Sequence, residues 1–106
     1  MAIKQLDVNQ LKEKIDAKQD IILVDCREEH EWEAGHIDAA KFLPLSEIEK
    51  NHTELKDKNA EIILQCRSGK RSMTYANFLE EKGYTNLTNL EGGILSWQEE
   101  GFDVVE

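Results

Sequence analysis

The sequence predicts an α/β fold in three layers, a mostly parallel central sheet with helices on both faces. Three observations carry that expectation. The short continuous apolar runs IILVD (21–25) and EIILQ (61–65) have the character of strands covered on both faces. Segments of helical period alternate with them, an order that implies parallel pairing and right-handed crossovers. Each run is followed at once by a cysteine, Cys26 and Cys66. Both thiols therefore fall where loops leave the carboxyl ends of strands, the edge at which open α/β sheets build their sites.

The elements follow in order. LDVNQLKEKIDAK sets Val8, Leu11 and Ile15 at helical spacing, with Asp7 at the N-cap and Gln10 in the capping-box position, so a helix is expected over 8–18. The strand at 21–25 comes next, then REEHEWEAGH as a short helix ended by Gly35. LSEIEKNHTELKD reads as one or two helical turns on each side of Asn51. Beyond the strand at 61–65, SMTYANFLEEKG brings Met73, Ala76 and Leu79 together with Tyr75 and Phe78 beside them, predicting a helix over 72–82 with Gly83 just past its end. NLTNL reads as a further short strand, and GGILSWQEEG as a closing helix bounded by glycines.

At 106 residues the chain is expected to form one domain over 1–106, with no linker or low-complexity segment to divide it. Its start, MAIKQLDVNQ, lacks the apolar stretch of a secretory signal, and no apolar run approaches the roughly 20 residues of a membrane span, so the expected location is cytoplasmic. A net charge of −9 argues against nucleic acid or an anionic membrane as partner, since both require a basic face. That charge is uneven. Residues 62–79 contain no Asp or Glu but hold Arg67, Lys70 and Arg71, so a small anion finds its attraction there. Two cysteines are too few for a disulfide framework, and neither has a partner at CxxC spacing, which disfavours zinc. The remaining reading of a thiol in an unusual setting is reactivity.

QCRSGKRS (65–72) is that setting. A thiol is nucleophilic only as thiolate, and its ordinary pKa leaves few per cent ionised at neutral pH. Cys66 is placed between a strand end and a helix start, where inward backbone N–H groups, the positive helix end and the cations all favour negative charge. Gly69 permits the tight turn that aims those amides at one centre. The cradle suits a thiolate, a persulfide or a small oxyanion, and Cys66 is expected to be ionised and presented to solvent.

DCREEHEWEAGHIDAA, CRSGKRS and LEGGILSW, in that order and separation, resemble the amino-terminal signature, active-site loop and carboxy-terminal Gly-Gly and Trp signature of the rhodanese family. The resemblance covers nearly the whole chain. It implies a thiosulfate sulfurtransferase in which Cys66 is the persulfide-forming nucleophile and Arg67, Ser68, Gly69, Lys70, Arg71 and Ser72 furnish amides and anion contacts. Asp25 and Arg27 then support the site, as do Gly35, His36, Gly92, Gly93 and Trp97 in the flanking signatures. Ala39 stands where the family usually has glycine, Phe42 where a polar residue is frequent, and Cys26 in the variable position between Asp25 and Arg27. The implied cycle takes a sulfane sulfur from a small anionic donor such as thiosulfate and passes it to cyanide or a thiol, with no metal or organic cofactor. A protein of a sulfur relay is a further partner the family allows.

Three rival readings stand beside it: a cysteine phosphatase, a non-catalytic partner module, and a persulfide carrier loaded by another protein. Phosphatases of this type place Arg six positions after the cysteine, whereas here that position is Ser72 and Arg71 comes one residue sooner. Inactive modules usually lack the cysteine. His36 is expected to be structural, His30 and His52 to be solvated, and Trp32 and Trp97 to pack. REEHEWE reads as a wet helix face. Cys26 reads as a buried inert thiol, with a resolving thiol as the alternative; its burial argues against a disulfide with Cys66.

Overall fold

Capping, strand patterning and glycine punctuation set the elements of the computed structural model, which describes residues 3–106. In chain order they are β1 (Lys4–Leu6), α1 (Val8–Asp16), β2 (Ile22–Asp25), α2 (Glu29–Ala34), β3 (Ala40–Phe42), α3 (Ile48–Asn51), β4 (Ile62–Gln65), α4 (Lys70–Glu81), β5 (Leu87–Leu90) and α5 (Gly93–Glu99). Single 3-10 turns at Leu45–Glu47 and His52–Glu54 flank α3. The strands form one parallel sheet in the order β1-β5-β4-β2-β3.

The sheet is covered on both faces, as the continuous apolar runs require. Along β2 and β4, Val24, Ile62 and Leu64 join Leu43, Leu55, Tyr75, Ala76 and Leu79 in one core, under α4 and the α3 stretch. The alternate residues Leu23 and Ile63 face the other way, against Val8 and Leu11 of α1 and Ile94 and Trp97 of α5. That alternation is the period-two geometry of a strand. The α1 capping box is present: Gln10 N–H donates to Asp7 Oδ1 at 2.8 Å and Asp7 N–H to Gln10 Oε1 at 3.0 Å. None of the described helices is long and apolar enough to cross a membrane.

Several boundaries differ from the sequence reading. Helix α1 stops at Asp16, because Lys18 takes φ +55 and turns the chain toward β2. Helix α4 starts at Lys70, two residues ahead of expectation, with Gly69 rather than a polar side chain at its N-cap. Strands β1 and β3 were not foreseen; both are three-residue edge strands, too short and too exposed to show a period.

Candidate active site

The Cys66 loop is set by the end of β4, the start of α4 and the start of α5. The chain leaves the sheet at Gln65 and turns through Gly69, whose φ of +110 an L side chain rarely adopts, before α4 begins. The turn brings Gly69 N–H to 3.1 Å from Cys66 Sγ. Ser72, in the first turn of α4, sets its hydroxyl 3.4 Å from the same sulfur and hydrogen-bonds Asn89 of β5. From behind, α5 fixes the backbone: Ile94 N–H donates to the Cys66 carbonyl at 2.9 Å and Leu95 N–H to the Arg67 carbonyl at 3.1 Å. Gln65 Nε2 adds a second hold on the Cys66 carbonyl at 2.9 Å. Gly93 packs so close that a Cβ there would stand 2.4 Å from the Arg67 carbonyl oxygen.

The second thiol lies beside the first. Asp25 pairs with Gln65 in the β2–β4 register, and the ladder continues through Cys26 N–H to the Gln65 carbonyl at 2.9 Å. Cys26 and Cys66 are thus the next pair along adjacent strands, both on the α4 face. Their ionisation is driven apart. A hydrogen bond from the Cys26 thiol, reinforced by Ser72 and the Gly69 and Ser72 amides, pulls Cys66 well below the ordinary thiol range despite burial. Donating that bond, together with burial and the neighbouring Cys66 and Asp25 charges, pushes Cys26 far above it. Cys26 is buried, as expected, but it is not isolated. Cys66 departs from expectation in another way: it is only 1% exposed, shielded where solvent presentation was predicted.

Asp25 and Arg27 form a buried ion pair at the same edge. Arg27 Nη2 donates to Asp25 Oδ2 at 2.8 Å and to the Gly35 carbonyl at 2.8 Å, and Arg27 N–H caps Asp25 Oδ1 at 3.0 Å. The pair ties the end of β2 to the end of α2, and the Asp25 charge is one of the groups that keep the Cys26 thiol protonated.

The three cations divide into two kinds. Arg67 and Ser68 on the loop and Lys70 at the start of α4 are exposed and open to an incoming anion. Arg71 is engaged: its Nη1 and Nη2 bind Glu31 Oε1 and Oε2 at 2.7 and 2.9 Å. That fork lowers Glu31 to about 2. Arg71 is therefore a clamp between α4 and α2 as well as a nearby positive charge. Glu31 departs from the wet helix face expected of REEHEWE and reaches Arg71 beside the loop instead. No pattern in REEHEWE singles it out, whereas Gln65 and Asn89 left a trace, as polar residues inside apolar strands at the carboxyl edge. A depression of ≈ 290 Å³ lined by Arg27, His30, Glu31, Arg67 and Leu95, among others, opens beside the loop.

The remaining candidates are structural. His36 Nδ1 hydrogen-bonds the Trp32 carbonyl at 2.9 Å while its ring stacks on Trp32 at 3.5 Å. Trp97 packs edge-on against Phe102 and donates Nε1–H to the Asp103 carbonyl. His30 is exposed, but His52 is not the solvated residue expected: its Nδ1 meets the Ile48 carbonyl at 2.7 Å and its ring meets Phe78 edge-on.

With an acidified thiol in an anion-favouring turn at the edge of this sheet, the comparisons with known proteins agree on one family. The rhodanese-like domain matches residues 7–100, and this chain belongs to the rhodanese-like family. It is 38% identical over 100 residues to YtwF of Bacillus subtilis, named as a sulfurtransferase, covering 94% of this chain and 95% of that one. It is 31% identical over 98 residues to the thiosulfate sulfurtransferase GlpE of Pseudoalteromonas translucida, covering 92% and 91%. Among solved structures, a rhodanese-like domain protein from Staphylococcus aureus superposes with a TM-score of 0.85 at 30% identity, over 98% of this chain and all of that one. The family role is thus that of sulfurtransferases.

Proposed function

We propose that the protein is a thiosulfate sulfurtransferase working through a persulfide on Cys66. The observation that carries this reading is the sulfur held 3.1 Å from the Gly69 amide at the start of α4, with its pKa drawn down. The Cys66 thiolate attacks the outer sulfur of thiosulfate; the bond between the two donor sulfurs breaks and its electron pair leaves with sulfite. The added sulfur, as an anionic persulfide, inherits the loop amides and the helix end that favoured the thiolate. A cyanide ion or thiolate then takes that outer sulfur, returning Cys66 as thiolate. Arg67 and Lys70 draw the donor to an otherwise acidic protein, an effect that weakens with salt.

Loop length favours sulfur over phosphate. The sixth residue after the cysteine is Ser72, whose hydroxyl turns to the sulfur, and Arg71, one residue short of that position, is clamped on Glu31. The test is thiocyanate formation from thiosulfate and cyanide. Wild type should turn over and Cys66→Ser should not, with unchanged circular dichroism. Turnover retained in Cys66→Ser would overturn the assignment.

A further inference from the structure

We propose that Cys26 is an internal acceptor for the persulfide, releasing hydrosulfide from Cys66 and leaving a Cys26–Cys66 disulfide that a dithiol must reduce. This inference rests on the Cys66 persulfide reading and extends it from transfer to an outside acceptor to release without one.

The placement comes from the sheet. Parallel neighbours lie roughly 4.8 Å apart, inside the Cα separation of about 4.4–6.8 Å that disulfides span. Cys26 and Cys66 are such neighbours, one step beyond the Asp25–Gln65 pair, and their side chains share one face. Their backbones are pinned. Cys26 N–H is held by the Gln65 carbonyl and its own carbonyl accepts from Leu45 N–H at 3.0 Å, while the Cys66 carbonyl is held by Ile94 and Gln65. Cys26 is 0% exposed, so the group that meets it is Cys66 and not a solvent thiol.

The chemistry balances without an outside oxidant. The outer sulfur of the Cys66 persulfide takes the Cys26 proton, and the Cys26 thiolate so formed attacks the inner, Sγ sulfur; the Sγ26–Sγ66 bond forms and the bond to the outer sulfur breaks. Its electron pair departs with the protonated outer sulfur, which leaves as hydrosulfide. The two cysteine sulfurs are oxidised to the disulfide while the sulfane sulfur is reduced to sulfide. In the resting site Cys26 is the thiol that donates a hydrogen bond toward Cys66, so the proton needed by the leaving sulfur is already on the attacking partner. Reduction of the disulfide by a dithiol, two electrons and two protons, restores both thiols. With a competent outside acceptor, transfer competes with this release; without one, the persulfide forms and then decays to the disulfide.

The experiment is carried out under argon on the full chain, loaded with thiosulfate, desalted to remove sulfite and thiosulfate, and sampled over time without acceptor. Acid-quenched intact mass, peptide mapping without reductant and released sulfide are read together. The expected result in wild type is loss of the added sulfur, appearance of a Cys26–Cys66 linked peptide, and one sulfide released per disulfide. The one-to-one ratio distinguishes this from stray oxidation. In Cys26→Ser, and independently in Cys26→Ala, the persulfide should outlive that of wild type at least tenfold. A wild-type persulfide that decays without the linked peptide, or as slowly as in both variants, overturns the inference and leaves the Cys66 reading standing. No sulfur taken up by any of the three proteins overturns both.

Discussion

Replacing Gly93 by alanine would put a methyl carbon 2.4 Å from the Arg67 carbonyl oxygen and 2.5 Å from that of Cys66, at a backbone φ of +57. Two costs add. An L residue in the left-handed region loses about 1–2 kcal/mol, and forcing an extra carbon into a closed contact costs about 1–3 kcal/mol. The contact is with backbone, so no side chain can swing aside; either α5 or the Cys66 loop must move, and the Ile94 and Leu95 hydrogen bonds to that loop lengthen. A loss of about 3 kcal/mol is expected, large against a total stability of about 5–15 kcal/mol. With a urea slope of about 1–2 kcal/mol per molar, the unfolding midpoint should fall by about 1.5–3 M. Gly101→Ala is the control, since Gly101 has φ +82 but no atom within 4 Å of its added Cβ. It carries the conformational cost alone. Because the moved backbone is that of Cys66, Gly93→Ala should also lose thiosulfate turnover under conditions where it remains folded, and Gly101→Ala should not. Equal destabilisation by the two, with activity intact in both, would refute the claim that α5 sets the loop by close approach.

Three further outcomes follow from the same geometry. Asp25→Asn strands the Arg27 guanidinium at 6% exposure, and urea unfolding should report a loss of about 3–5 kcal/mol. Glu31→Gln releases Arg71. Since the Glu31 carboxyl is lowered from 4.5 to about 2, its pairing stabilises fully above pH 4.5 and is lost as pH falls through about 2; the stability difference between wild type and Glu31→Gln should therefore shrink over that window, as measured by denaturation at each pH. Cys66 ionises below the ordinary 9.0, so its iodoacetamide labelling rate should stay level from pH 9 down through neutrality and fall only in acid, while Cys26 should label only after unfolding. A Cys66 rate that rises tenfold per pH unit through neutrality would show an unperturbed thiol.

What could be read from the sequence and what could not divide along physical lines. The two central strands, the capped helix α1 and the placement of both cysteines at carboxyl ends follow from runs and caps that are local in sequence. Strands β1 and β3 are held by one neighbour each at the sheet edges, so their three residues carry no pattern of their own. In the site, Cys66 and its loop were legible because the nucleophile, the turn glycine and the helix start lie within seven residues. The Arg71–Glu31 fork joins residues 40 apart, and Asn89 reaches Ser72 across 17. Such pairings are decided by how helices settle on the sheet. Cys26 illustrates the limit well: its burial could be read from the run that precedes it, but its contact with Cys66 depends on β2 and β4 being neighbours.

Intact mass decides whether a persulfide forms on Cys66. Reduced protein is mixed with thiosulfate without acceptor, quenched in acid within seconds, and mapped by peptide. One added sulfur atom is expected, located on Cys66, removed by cyanide as thiocyanate and absent from Cys66→Ser. A protein that gains no sulfur, or one whose added sulfur survives the Cys66→Ser substitution, would contradict a Cys66 persulfide.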